Sequence, residues 1–166
     1  KKPKSIIEKL KRKGFEVSLK SIRENLFDVA GIRVICNYVD DIYRIADLLT
    51  KQDDITLIRT KDYIEHPKEN GYRSLHLIVS IPIFLAESTE NVMAEIQIRT
   101  IAMNLWASLE HELKYKSEDD VSEELKIRLK NNADTIAKVD MEMQSIFREL
   151  KQKNNIENIC CRGMRK

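Results

Sequence analysis

Two stretches near the middle of this chain alternate between side-chain classes with a period of two, and that periodicity commits them to neighbouring strands. In the first, Leu75, Leu77, Val79 and Ile81 fall on one side, and Ser74, His76, Ile78 and Ser80 on the other. In the second, Val92, Ala94, Ile96 and Ile98 alternate with Met93, Glu95, Gln97 and Arg99. A solvated strand face explains the second row equally well. If both strands share a sheet, however, His76 and the Glu95, Gln97, Arg99 row share a face, with a basic loop at its rim. Such a face suits anionic phosphates and a metal.

The loop is Lys61 to His76. It holds Lys61 and Lys68, turns at Asn70-Gly71, where both residues tolerate positive φ, and presents Tyr72 and Arg73 before the first strand begins. Tyr72, projecting from a turn, could stack on a base or cover the edge of the core.

The remaining chain supplies a helix-and-strand rhythm. Ile6, Ile7 and Leu10 make an apolar stripe on a first helix ended by Gly14, and its Lys9, Lys11, Arg12 and Lys13 side reads on composition as an ordinary solvated face. A short helix over 18–25 precedes a strand over 27–36, whose nearly continuous apolar run predicts burial on both faces. Asp28 and Arg33 are its odd members; a mutual salt bridge is the plain reading, but their odd separation sets them on opposite faces unless Gly31 marks a bulge. An amphipathic helix over 40–52 and a strand over 55–59 lead into the loop. Ile101, Leu105, Leu109 and Leu113 form a stripe on a helix over 100–115, with Trp106 beside it as a core residue.

Asp120 and Glu123 resemble a capping box for a long helix reaching about Gln152, with Leu125, Leu129, Ile136, Val139, Met143, Ile146, Phe147 and Leu150 at helical spacing. That helix covers a partner subunit or its own sheet. The expected architecture is α/β (α+β): a mixed β-sheet flanked by helices in one domain over 1–152, with a long C-terminal helix and a polar, mobile tail over 153–166. The chain begins at Lys1 within a helix-like pattern, so further residues upstream are expected.

Composition narrows the partners. Twenty-nine basic and 27 acidic residues leave a net charge of +2, so a whole-molecule field for nucleic acid is not implied and any basic patch is local. Three cysteines, Cys36 and the adjacent Cys160-Cys161, lack a disulfide framework and point to a reducing cytoplasm. The longest apolar stretch, near 75–86, is too short for the roughly 20 residues a bilayer needs. No membrane partner is expected.

The chemistry gathers on two carboxylates. Asp28 and Glu95 each sit on an otherwise apolar strand, and such a pair can hold a hard cation through oxygen. Arg59, Lys61, Lys68, Arg73 and Arg99 suit phosphate oxygens. Neither common glycine-rich nucleotide loop is present, and His111-Glu112 lacks the second histidine of a zinc protease. A metal, a phosphate cradle and a stacking residue together suggest a nucleotide enzyme.

The string RTKDYIEHPKENGYRSLH, followed by EIQIRT and preceded by FDVAGIRV, resembles the synthetase domain of RelA/SpoT-type alarmone synthetases, and the short length resembles their small, single-domain members. The likeness runs from about Ser5 to Tyr115. It implies a nucleotidyltransferase-like mixed sheet that transfers the β,γ-pyrophosphate of ATP to the ribose 3′-OH of GDP or GTP with Mg²⁺, releasing AMP and making (p)ppGpp in the stringent response. By resemblance, Asp28 and Glu95 are the metal-holding and catalytic carboxylates, and Tyr72 stacks on guanine. Arg33 stacks on adenine, and Lys1, Ser5 and Lys9 meet the ATP phosphates. Lys61, Lys68 and His76 surround the guanosine phosphates and the transferred group, and Asn70 and Gln97 fall on motif positions of the guanine-nucleotide site. A second adenine-stacking arginine would lie two residues before Lys1, outside the sequence.

Arg59-x-Lys61-Asp62 resembles the basic form of the family's substrate-preference motif. The hydrolase and regulatory domains of long members have no counterpart in this sequence, so ribosome control is not expected. The resemblance further implies a homo-oligomer, a tetramer built through terminal helices, and names single-stranded RNA or an alarmone as candidate regulators. A different class stays open beside it: a degenerate synthetase fold acting as an RNA-binding or regulatory module.

Overall fold

The structure is a computed structural model that describes residues 3–116 and 122–163. Lys1, Asp120 and the side chains of Cys160 and Cys161 lie outside the described residues. Its centre is a four-stranded mixed sheet in the order β1-β4-β3-β2, formed by β1 (Ala30–Cys36), β2 (Thr56–Asp62), β3 (Leu75–Phe84) and β4 (Thr89–Thr100). β1 runs parallel to β4, and the other neighbours are antiparallel. Among the described residues five helices surround it: α1 (Pro3–Arg12), α2 (Leu19–Asn25), α3 (Val39–Thr50), α4 (Ile101–Lys116) and α5 (Glu123–Gly163).

The period-two reading of the central strands holds. Leu75, Leu77 and Val79 of β3 and Ala94, Ile96 and Ile98 of β4 face one way and bury against Val39, Ile42 and Ala46 of α3 and Met103 of α4. The opposite face carries His76, Glu95, Gln97 and Arg99. One side of the sheet is therefore the core and the other is free to carry chemistry.

β1 differs from its expectation. It is an edge strand, and Ile32 and Ile35 are exposed, so its apolar run is not buried on both faces. Its register with β4 is unbroken from Ala30 to Cys36, so Gly31 marks no bulge. Asp28 lies before the strand and pairs with Lys9 of α1, not with Arg33. β2 continues past Arg59 to Asp62, with the one irregularity of its pairing between Leu57 and Arg59.

Trp106 is core, as its place beside the apolar stripe predicts. Its indole donates to the Leu129 carbonyl at 3.0 Å and packs with Ala107 and Ala133, which joins α4 to α5. The stripe itself is not buried: Ile101, Leu105, Leu109 and Leu113 are 59, 53, 51 and 55% exposed. Helix α5 likewise docks through small and polar groups. Among its described side chains Ala133, Asp140 and Gln144 are the buried ones, while Val139, Met143, Ile146 and Leu150 of the expected stripe face outward. The Asp140 carboxylate accepts from Thr100 Oγ1 at 2.6 Å, Gln144 accepts from the Asp40 amide at 3.0 Å, and Phe147 stacks on Tyr38 with centroids 4.0 Å apart. At its start Ser122 Oγ accepts from the Leu125 amide, and at its end the helix runs on to Gly163, past the expected stop near Gln152.

Candidate active site

Strand register does most of the positioning. Arg33 of β1 lies opposite Gln97 of β4, Gln97 opposite His76 of β3, and His76 opposite Lys61 of β2. Each of the four strands thus contributes one polar residue to a single rung across the sheet. The adjacent rung sets Gly31 beside Glu95, Glu95 beside Ile78, and Ile78 beside Arg59. Because Gly31 has no side chain, the β1 end of that rung is open, and a recess of about 390 Å³ forms there, lined by Asp28, Gly31, Arg33, Glu95 and Gln97.

Glu95 is held by donors on both oxygens. His76 Nδ1 lies 3.1 Å from Oε1, and Gln97 Nε2 lies 3.0 Å from Oε2. The His76 bond is the larger of the forces that hold the Glu95 carboxyl down to a pKa of about 2, against the burial and the nearby Asp28 charge that oppose ionisation. The carboxylate is a fixed anion at neutral pH.

Tyr72 stands at the rim of the same face. Its hydroxyl meets His76 Nε2 at 2.8 Å and accepts from Arg99, whose guanidinium also lies beside the ring, 5.0 Å from its centroid. Lys68 holds its ammonium 4.9 Å from the same ring and 4.7 Å from that of Tyr63. The turn that presents Tyr72 is closed by Gly71 N donating to the Lys68 carbonyl at 2.8 Å, with Gly71 at φ +87°. Asn70 serves this turn: its Oδ1 accepts from the Tyr72 amide and its Nδ2 donates to Glu110 at 3.0 Å.

Of the phosphate-binding candidates, Arg33, Lys61, Lys68 and Lys9 lie on or beside this face, and Arg59 is exposed on β2 one rung away. Ser5 is exposed on α1, one turn before Lys9. Two expected phosphate contacts are engaged within the fold. Arg73 points to α5, where its guanidinium meets Asp134 at 3.0 Å and the carbonyls of Gly71 and Ala133. Arg99 is only 5% exposed and its donors go to Tyr72, Gln97 and Ser74. Both guanidinium groups are already committed within the fold.

Tyr63 was not foreseen. Its ring meets those of Tyr72 and His76 edge-on, at 6.0 and 5.2 Å, so three aromatic rings and Lys68 form one box. The available signal was Asp62, whose carboxylate accepts from the amides of Ile64 and Glu65 at 2.8 and 3.0 Å and so turns the chain where β2 ends.

Asp28 and Glu95 offer oxygen donors to a hard cation, and their mutual repulsion, with Asp28 opposing ionisation of Glu95, is what a bound cation would relieve. Among the described residues no group of three or more His, Cys, Asp or Glu side chains is placed to hold a metal. Two carboxylates with the remaining positions left to water and phosphate suit Mg²⁺, which keeps much of its own hydration, better than a metal that needs a full protein cage. The larger recess beside α5, about 680 Å³ and lined by Arg73, Asp134 and Asp140, contains neither carboxylate.

Comparison with known proteins bears on this geometry. Residues 1–120 match the family described as the region found in RelA / SpoT proteins. GTP pyrophosphokinase YwaC of Bacillus subtilis is 47% identical over 146 residues, which is 88% of this chain and 70% of that protein. A crystal structure of small alarmone synthetase 1 from Bacillus subtilis bound to its product pppGpp superposes with a TM-score of 0.83 at 40% identity, covering 90% of this chain and 75% of that one. A second structure of the same synthetase, bound to AMPCPP, gives a TM-score of 0.74 at 35% identity and covers 92% of this chain and 75% of that one.

Proposed function

The chain belongs to the RelA/SpoT family, and on that premise we propose that it is a (p)ppGpp synthetase of the small alarmone synthetase kind, transferring the β,γ-pyrophosphate of ATP to the ribose 3′-OH of GDP or GTP. The observation that carries the reading is the placement of Glu95, an ionised carboxylate beside Asp28, on a sheet face that also bears Tyr72, Arg33, Lys61 and Lys68. Relatives bound to pppGpp and to AMPCPP support a guanine-nucleotide and an adenine-nucleotide subsite on that face.

In the reaction the ribose O3′ forms a bond to the β phosphorus of ATP, and the bond from that phosphorus to the oxygen bridging it to the α phosphorus breaks. AMP leaves with that oxygen. Tyr72 stacks on guanine, which sets the ribose over Glu95, and Arg33 stacks on adenine from the opposite edge of the sheet. A carboxylate as acidic as Glu95 keeps a proton only briefly, so it orients the hydroxyl and passes the proton to solvent. Lys61 and Lys68 face the phosphates of the acceptor. Lys9, ion-paired with Asp28, would meet the ATP phosphates. Mg²⁺ held by Asp28 and Glu95 would supply charge neutralisation at the transferred group.

The exposed apolar faces of α4 and α5 support a homo-oligomer, with a tetramer as the expected form. No helix of the described residues is long and apolar enough to cross a membrane, and the cytoplasm, where ATP and GTP are made available, is the proposed place of work.

The test is transfer itself. With β-labelled ATP, Mg²⁺ and GDP or GTP, label should appear on the guanine nucleotide with one AMP released per transfer. Glu95→Gln keeps size while removing the charge and one of the two acceptors, and should lower kcat by about 10²–10⁴-fold with nucleotide binding retained. A variant that transfers at the unmutated rate would sink the assignment of Glu95. Absence of transfer by the unmutated chain would favour the binding-module alternative.

A further inference from the structure

Arg99 is a buried cation whose visible hydrogen bonds all go to neutral acceptors. One terminal nitrogen donates to both the Tyr72 hydroxyl and Gln97 Oε1, and Nε donates to Ser74 Oγ at 3.3 Å. Burying a guanidinium is costly unless an opposite charge balances it. The balance is reached at one remove, because both of the nitrogen's bonds lead on to Glu95. Along one arm, Tyr72 donates to His76 Nε2 and His76 Nδ1–H donates to Glu95 Oε1. Along the other, Gln97 takes the Arg99 proton on Oε1 and donates from Nε2 to Glu95 Oε2. The five side chains close a ring.

A guanidinium only donates and a carboxylate only accepts, so the amide orientation of Gln97 is set and His76 carries a proton on Nδ1 toward Glu95; with a neutral imidazole the Tyr72 hydroxyl then donates to Nε2. Without Arg99, Gln97 Oε1 and the Tyr72 hydroxyl both lose the donor that anchors them. Such a change at Arg99 would be felt both at the aromatic ring on the rim and at the carboxylate in the recess.

We propose that Arg99 is a positioning residue for the transfer: through the Tyr72–His76 arm and the Gln97 arm it sets the stance of the guanine-stacking ring and of the Glu95 carboxylate together, without touching either nucleotide. The inference rests on the function proposed above. It distinguishes Arg99 from Arg33, Lys61 and Lys68, which are exposed or half-buried on the same face and available to phosphate. It also gives Gln97 a defined role, as the link that passes one of the two arms.

The experiment is a double-mutant cycle read by GDP binding, with AMPCPP binding as the control for the ATP side and the labelled-transfer assay run beside it. Arg99→Met should weaken GDP binding by about tenfold and lower kcat by at least as much, while AMPCPP affinity changes by about twofold or less. In a Tyr72→Phe background, where the ring keeps its face but the arm is cut, Arg99→Met should cost GDP affinity no more than about twofold. Thermal stability should fall in Arg99→Met, because removing one of two linked buried charges leaves Glu95 uncompensated, so the GDP-against-AMPCPP split rather than the melting temperature identifies the positioning role. Arg99→Lys should recover kcat only in part, since one ammonium cannot reproduce the fixed fork. A GDP loss of full size in the Tyr72→Phe background would overturn the proposal in favour of direct phosphate contact. Equal losses for GDP and AMPCPP would reduce Arg99 to a structural residue. If the unmutated chain binds GDP but transfers nothing, the proposed activity fails while the binding cycle still decides the coupling. If it binds no GDP, both fall.

Discussion

Gly71 and Ala133 meet so closely that a β-carbon on Gly71 would stand 2.5 Å from that of Ala133, nearer than two carbons can approach. Gly71 is also at φ +87°, where an L-residue is strained. Glycine at this turn therefore answers two demands at once: the backbone must reverse, and α5 must press against it. Gly71→Ala should destabilise the fold by about 2–4 kcal/mol, the sum of the backbone strain and the overpacking. Adding Ala133→Gly removes the clash but not the strain, at a helix cost of about 1 kcal/mol, so the double variant should recover only part of the loss. Urea midpoints of the four proteins in the cycle check both statements. Full recovery would mean that the turn carries no strain.

Tyr72→Ala separates the two nucleotide subsites. Stacking of a base on an aromatic ring is worth about 1–3 kcal/mol, so the KM for the guanine nucleotide should rise by about five- to 100-fold while that for ATP changes little. Steady-state kinetics with each substrate varied in turn reads the difference. Equal changes in both constants would count against the stacking role.

Asp140 titrates against the fold. Burial raises its pKa, opposed by the bond from Thr100, so the folded chain holds this proton more tightly than the unfolded chain does. Stability contributed at this site is accordingly lost as pH rises from the ordinary carboxylate range through the folded-state value, and neutral pH carries the whole penalty. Asp140→Asn keeps an acceptor for Thr100 without the charge. Its melting temperature at pH 7 should equal or exceed that of the unmutated chain, with the gap closing on acidification. A lower value at pH 7 would show that the charge is compensated.

The exposed stripe on α4 makes a claim about assembly. Placing charges there with Leu105→Glu and Leu109→Glu should lower the mass measured by light scattering toward 19.4 kDa, while the unmutated chain scatters as a multiple of it. An unmutated chain that is monomeric at micromolar concentration would remove the oligomer from the reading.

What the sequence made legible was periodicity. Leu75 to Ile81 and Val92 to Arg99 announced two strands and the face each residue would take, because alternation has only two outcomes. The same logic put His76, Glu95 and Gln97 together. Burial around β1 was not legible: Ile32 and Ile35 read as core, but an edge strand has no neighbour on one flank, and strand order is a property of the whole sheet. The commitments of Arg73 and Arg99 were hidden for a related reason. Both sit among phosphate-binding residues in sequence, yet the partner of Arg73 is Asp134, far along the chain on α5, and the partners of Arg99 gather only once β3 and β4 are in register. Side-chain type suggested their chemistry, and tertiary contacts supply the partners they hold in the fold.

The rung that joins Arg33, Gln97, His76 and Lys61 has a consequence for how the chain becomes competent. Pairing β3 with β4 is a local hairpin event, quick to form and quick to re-form, and it already brings His76 and Gln97 side by side. Arg33 arrives only when β1 docks in parallel on β4, which must close the long intervening loop and is intrinsically slow. A chain interrupted at that stage would own the guanine half of its cleft but lack the adenine half. In refolding, GDP binding should therefore return ahead of AMPCPP binding, with the last strand to dock acting as the gatekeeper of activity.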